Sequence, residues 1–258
     1  MCPVLFHVGP FTVYSYGLMV AIAFVLASWT FSIELRRRKI DQNLAGTLTL
    51  IALVGGIVGA KGLYLIEEWD AFMKDPAGMA FSPGGLTFYG GLVLATIACV
   101  AYLKRKKYPL ARLLDAVAPS LILGYGIGRI GCQLAGDGDY GILSDLPWAM
   151  GYPNGVVPTP PGVRVHPTPV YETIACLIIF AYLWGTRKKP RKPGTLFLIY
   201  LVLAGLERLL VEFIRLNPKI ALGLTEAQWI SVVMIIIGAA GLYRFRQAPP
   251  AIEKSRKE

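Results

Sequence analysis

Apolar residues gather in seven long runs, over positions 13–35, 46–66, 86–103, 112–131, 168–185, 194–214 and 227–243, with short polar stretches between them. Each run is close to the ~20 residues that a helix needs to cross a bilayer core. The pattern predicts an all-α membrane protein with seven transmembrane helices. The polar stretches differ in sign. Arg36 to Lys39, Lys104 to Lys107 with Arg112, Arg187 to Lys192, and Arg244 to Lys257 hold most of the 26 basic residues. They fall in alternate connections, which the positive-inside rule assigns to the cytoplasm. The N-terminus is therefore expected outside and the C-terminus in the cytoplasm.

Two of the outward-facing connections stand out. Glu67 to Gly85 is short and acidic. Cys132 to Pro167 is dense in Gly and Pro, carries Tyr140, Trp148 and Tyr152, and reads either as a small external head segment or as a passive loop. The expected organisation is a membrane domain over 1–246, with the head at about 132–167 between helices four and five, and a cytoplasmic tail over 247–258.

Composition agrees with this reading. The chain of 258 residues is 55% hydrophobic and 16% charged, with a mean hydropathy of +0.53, whereas soluble domains are about a quarter charged. Disorder, a disulfide scaffold and a nucleic-acid-binding domain are excluded. The net charge of +10 belongs to the loops, so the expected partners are membrane lipids and not nucleic acid. Cys2, Cys99, Cys132 and Cys176 have no metal-type spacing, and His7 and His166 complete the histidines. No metal and no cofactor are expected. MCPVLFHVGPF lacks a basic segment followed by an apolar one, so no cleavable signal peptide is expected.

Charges inside the apolar runs carry the chemical information, because an arginine at a helix centre costs about 2.5–3.5 kcal/mol on insertion scales. Lys61, Arg129, Arg208 and Glu212 qualify. A rise of ~1.5 Å per residue puts them about 22, 25, 21 and 27 Å up from the cytoplasmic ends of their helices. Tyr16, Tyr89, His166 and Glu172 come early in helices running the other way. All eight thus aim at the outer-leaflet half of the membrane. Arg208 and Glu212 share a helix face at i and i+4. Two arginines at that depth suit a phosphate ester, because guanidinium presents a planar fork of donors to phosphate oxygens. GIGRIG, 126–131, matches a dinucleotide fingerprint but follows no strand, so Gly124 and Gly128 read as small residues for close helix packing, as do Gly55 and Gly59. HExxH, GxSxG and P-loop motifs are absent from the sequence.

The stretch GRIGCQLAGDGDYG, Gly128 to Gly141, resembles the signature of the bacterial prolipoprotein diacylglyceryl transferases. Around it stand Tyr16-Gly17, GGLTFYGGL from Gly84, HPTPVYE from His166 and ERLLVEFIR from Glu207, in that family's order. The resemblance implies a multi-pass protein of the bacterial cytoplasmic (inner) membrane with its active site towards the outer leaflet. It also implies transfer of a diacylglyceryl group from phosphatidylglycerol to the lipobox cysteine of preprolipoprotein signal peptides, with release of glycerol phosphate. Carried over by position, Arg129 is the signature's phospholipid-binding arginine, Arg208 the second essential arginine, Tyr16 the tyrosine of the first span and Gly141 the closing glycine. The candidate catalytic set is Arg129, Arg208, Tyr16, Tyr89, His166 and Glu212. The candidate phosphatidylglycerol-binding set is Arg129, Arg208, Lys61, Gly128, Gly141, Asp137 and Glu172.

Four positions depart from the family's pattern. Tyr89 stands where many members have the histidine favoured as general base, Cys132 replaces an asparagine, Ala204 replaces a tyrosine, and Asp137-Gly138-Asp139 carries one extra residue. Thiol activation is open between Tyr89, His166 and the arginine field alone, with phosphate stabilisation by Arg129 and Arg208 ranked first. A seven-span transporter and a non-catalytic anionic-lipid-binding protein remain as alternatives.

Overall fold

The computed structural model describes residues 1–9, 11–82 and 84–247. The expected tail lies outside the described residues from position 248 on. The seven apolar runs are helices: α1 (Ser15–Arg37), α2 (Asn43–Glu67), α5 (Phe88–Arg105), α6 (Leu110–Ala135), α7 (Thr168–Thr186), α8 (Thr195–Glu212) and α9 (Glu226–Gln247). Short helices α3 (Trp69–Phe72) and α4 (Pro76–Phe81) fill the acidic connection. Two antiparallel strand pairs, β1 (Val4–Val8) with β2 (Phe11–Tyr14) and β3 (Lys219–Ala221) with β4 (Leu224–Thr225), precede α1 and α9. Among the described residues, six helices are long and apolar enough to cross a membrane. α8 differs by composition, since Glu207, Arg208 and Glu212 fall within its 18 residues.

The chain divides into two compact units, one of Ser28–Leu113 and the other of the remaining residues. In the first, α2 and α5 meet along a glycine seam. A Cβ on Gly55 would lie 3.2 Å from the Ala95 Cα, one on Gly91 would lie 2.7 Å from the Gly56 carbonyl, and one on Gly59 would overlap the Gly90 carbonyl. Small residues let the two backbones touch, as Gly55 and Gly59 suggested. The segment before α5 is strapped to α2. Lys61 Nζ donates to Ser82 O at 3.0 Å, Ser82 Oγ at 2.9 Å and Gly84 O at 2.7 Å. Thr87 adds its N–H to Ala60 O at 3.1 Å and its hydroxyl to Glu67 Oε2 at 2.7 Å.

In the second unit the core comprises Ile122, Cys176, Leu183, Leu196 and Ala204 from α6, α7 and α8. Gly126 makes the close approach of α6 to α7, since its Cβ would lie 2.8 Å from the Cys176 Cβ. Gly128 has open space there, so the packing role expected of it falls to Gly126. Asp115 on α6 accepts from the N–H groups of Gly194 (2.8 Å) and Phe197 (3.0 Å), which serves the orphan donors at the start of α8. α6 runs to Ala135, four residues past its expected end. Gly136, at φ +60, turns the chain there and donates to Cys132 O at 2.8 Å.

The segment after Gly136 is ordered by its own contacts. Tyr152 is buried and donates to Gln133 Oε1 at 2.8 Å, and Arg164 Nε donates to Ala149 O at 2.9 Å. Bridges join Leu143 and Met150 to Val165, and Gly141 to Arg215. The last bridge needs glycine, because a Cβ on Gly141 would lie 2.5 Å from the Ile214 carbonyl and 3.0 Å from the His166 Cβ. It brings the end of the signature against the stretch following α8.

Candidate active site

One face of α6 carries Tyr125, Arg129 and Cys132, at i, i+4 and i+7. Glu172 sits in the second turn of α7. Arg208 and Glu212 share a face of α8, and Arg215 continues that face just beyond the helix. Glu172 is the hub. Its side chain is 0% exposed, and it accepts from Arg208 Nη1 at 2.7 Å, Arg215 Nη1 at 3.2 Å and Tyr125 Oη at 2.7 Å, with Arg129 Nε at 3.4 Å. Glu212 anchors the far side. It meets Arg208 Nη2 at 3.0 Å and Arg215 Nε at 3.6 Å, and accepts from Thr225 Oγ1 at 2.9 Å and Asn217 Nδ2 at 2.5 Å.

Asp139 closes the cluster from the stretch between α6 and α7. One carboxylate oxygen accepts from Arg129 Nη1 and the other from Arg215 Nη2. The Thr168 hydroxyl holds the backbone carbonyl of Asp139. Burial acts to raise the Asp139 pKa, but the Arg129 and Arg215 guanidiniums outweigh it and hold the carboxyl below its ordinary value. Asp137, buried beside the Asp139 charge, is pushed the other way. The Tyr125 ring lies under Arg129 with its centroid 4.8 Å from the guanidinium carbon, a cation–π contact that also fixes the fork's plane.

The second unit thus brings together Arg129, Arg208, Glu212, Glu172, Gly128, Gly141, Asp137, Tyr16 and His166 from the sequence sets. Tyr16 packs beside the signature helix, where a Cβ on Gly131 would lie 3.3 Å from its ring. His166 is tied into a chain of its own. Trp148 Nε1 donates to Tyr171 Oη at 2.8 Å, and Tyr171 Oη shares a hydrogen bond with His166 Nδ1 at 3.2 Å. Lys61 and Tyr89 belong to the other unit. The ammonium of Lys61 spends its three donors on Ser82 and Gly84, so it acts as a strap for the segment leading to Tyr89.

Cys132, Asp137 and Asp139 have ligand atoms within 4.8 Å of one another, a spacing that can hold a metal ion. Two guanidiniums already hold Asp139, and their charge opposes a cation there. Sequence reasoning missed Arg215, Asp139 and Tyr125 as site residues. Arg215 follows Arg208 by seven and Glu212 by three, so extending the helical face by one turn would have found it. Asp139 was marked only by its place in the signature, and Tyr125, an aromatic within an apolar run, carries no comparable signal.

Apolar helices of membrane-crossing length around a buried arginine–carboxylate cluster define a multi-pass membrane protein. The family model described as prolipoprotein diacylglyceryl transferase matches residues 3–244. The phosphatidylglycerol--prolipoprotein diacylglyceryl transferase of Dehalococcoides mccartyi is 36% identical, over 95% of this chain and 94% of the relative. The proteins of that name from Clostridium tetani (33% identical; 96% and 100% covered) and Trichormus variabilis (33%; 99% and 95%) are similar over the same extent. The chain belongs to the prolipoprotein diacylglyceryl transferase family and is a transferase.

Proposed function

We propose that this protein transfers the diacylglyceryl group of phosphatidylglycerol to the lipobox cysteine thiol of preprolipoproteins, the first step of bacterial lipoprotein maturation. The observation that carries the reading is the convergence of Arg129, Arg208 and Arg215 on one buried cluster, in a chain whose relatives bear that name. The thiol sulfur attacks the glycerol carbon that bears the phosphate, a C–S bond forms, and the C–O bond breaks with its electron pair leaving on oxygen. Glycerol phosphate departs. The thiol proton is balanced by the new phosphate monoester, which can accept it. Charge builds on the departing oxygens, and preorganised guanidiniums stabilise that charge more than the ground state.

Arg129 and Arg208 bind the lipid phosphate, with Gly128, Gly141, Asp137 and Glu172 shaping or orienting that site. Tyr16 and Tyr89 contact lipid or peptide, Glu212 orients Arg208, and His166 orders the entrance to α7 through Tyr171. The arginine field raises the thiolate fraction of the substrate cysteine. The test is direct: the purified protein, given phosphatidylglycerol and a lipobox peptide, should add one diacylglyceryl mass to the peptide and release one glycerol phosphate. A peptide left unmodified with the protein folded would refute the activity.

The same proposal includes topology. α8 also crosses, which brings the crossings of a membrane domain over 1–246 to seven; the N-terminus and the 132–167 head lie outside, and the tail over 247–258 is cytoplasmic. The membrane is the bacterial inner membrane, and the site opens to its outer leaflet. Basic residues bunched in alternate connections support this orientation. Single engineered cysteines should therefore react with an impermeant maleimide in intact cells when placed near Asn154, and stay unlabelled near Lys106. The reverse pattern would overturn the orientation.

A further inference from the structure

The cluster is electrically closed as it stands. Arg129, Arg208 and Arg215 face Asp139, Glu172 and Glu212, and every guanidinium already has a carboxylate. An added phosphodiester anion competes with those carboxylates for the same guanidiniums. The three are not equal. Glu172 and Glu212 have side chains 0% exposed and are held by neutral donors from Tyr125, Thr225 and Asn217 as well as by arginines. The Asp139 side chain is 30% exposed, and its carboxylate is held by the two arginines, with only the weak donor of the Cys132 thiol beside it.

Asp139 also imitates a phosphate. Its two oxygens go to two different guanidiniums, the arrangement in which the two non-bridging oxygens of a phosphodiester would bind. It sits outside any helix, next to Gly138 at φ +93 and three residues after Gly136 at φ +60. Its backbone is pinned at the carbonyl by Thr168, which leaves the side chain as the part free to swing.

We propose that Asp139 is a placeholder in the phosphate subsite: its carboxylate bridges Arg129 and Arg215 until the phosphate of an incoming anionic lipid displaces it, and it returns to displace the phosphate product. This rests on the proposed function for the identity of the lipid, and on the ion-pair geometry for the exchange itself. The exchange sets an apparent affinity. A site open only for a fraction of the time binds more weakly by that fraction. Retaining Asp139 therefore weakens lipid binding and speeds product release. Because its carboxyl is held below the ordinary range, it stays ionised at neutral pH, and only mutation relieves the competition.

The test compares wild-type protein with Asp139→Asn, which keeps the shape and removes the charge. The readouts are KM for phosphatidylglycerol, kcat, and the inhibition constants of inorganic phosphate and glycerol 3-phosphate. The expected result is a fall of about tenfold or more in KM and in both inhibition constants, with kcat lowered as product release slows. A folded Asp139→Asn protein whose KM and inhibition constants are unchanged or raised overturns the placeholder, because a merely structural aspartate would give that pattern. Thr168→Val keeps every charge and loosens only the backbone anchor. If Asp139→Asn does not fold, an unchanged phosphate inhibition constant in Thr168→Val overturns the proposal, and a fall of severalfold upholds it. Should the wild type form no thioether, binding is read by thermal shift with inorganic phosphate. Tighter binding by Asp139→Asn then upholds the placeholder while the transferase activity falls.

Discussion

Arg129→Ala is expected to lower diacylglyceryl transfer by at least about 10²–10³-fold, the loss typical of removing one well-placed donor from developing negative charge. The effect is large because Arg129 has no substitute. Its Nε faces Glu172 at 3.4 Å, its Nη1 serves Asp139, and its plane rests on the Tyr125 ring. Arg129→Lys is expected to be nearly as damaging. Lysine keeps the charge but offers one ammonium where the site uses a fork, and it cannot stack flat on tyrosine. The check is thioether formation by purified protein whose thermal melt shows it folded. Transfer near the wild-type rate by Arg129→Ala would remove Arg129 from the mechanism. The sign separates this residue from its partner across the ion pair, since Asp139→Asn should tighten lipid binding.

Glu172→Ala is expected to unfold the site rather than merely slow it. Three guanidiniums and the Tyr125 hydroxyl converge on a carboxylate with no solvent exposure. Removing one member of a buried pair leaves uncompensated charge and costs about 3–5 kcal/mol. In a chain of this size that corresponds to a fall of roughly 6–20 °C in melting temperature. Glu172→Gln keeps a hydrogen-bond acceptor but discards the negative charge, so it should fall between alanine and wild type. The measurement is the melting temperature in detergent alongside transfer activity. A Glu172→Ala protein with an unchanged melt would show that the hub does not hold the cluster together.

Much of the site was visible in the linear pattern for one physical reason. A charge inside an apolar run is costly, so Arg129, Arg208 and Glu212 announce themselves by being there at all. Glu172 was marked by its early place in an apolar run and by HPTPVYE. The long helices were legible for a related reason: an apolar helix of membrane-crossing length satisfies its own backbone, so length and hydropathy mark it. Helix ends were less legible. α6 ran on through Cys132 to Ala135, because Gly136 at positive φ ends it while Gly126 and Gly131 serve packing within the helix.

The sequence by itself thus determined the membrane class, the helices and the family, and it picked out most of the charges. The tertiary structure decided what those charges do. Lys61 looks like an arginine's equal in sequence, yet its three donors end on Ser82 and Gly84. Arg215 lies beyond its apolar run and became part of the cluster only because the chain passes beside Gly141. Asp139 reads as one acidic loop residue among several until the bridge between Arg129 and Arg215 is seen. Helix periodicity and hydropathy are local and survive in one dimension. Ion pairing between residues 76 or 43 positions apart depends on backbones that meet only in the folded chain.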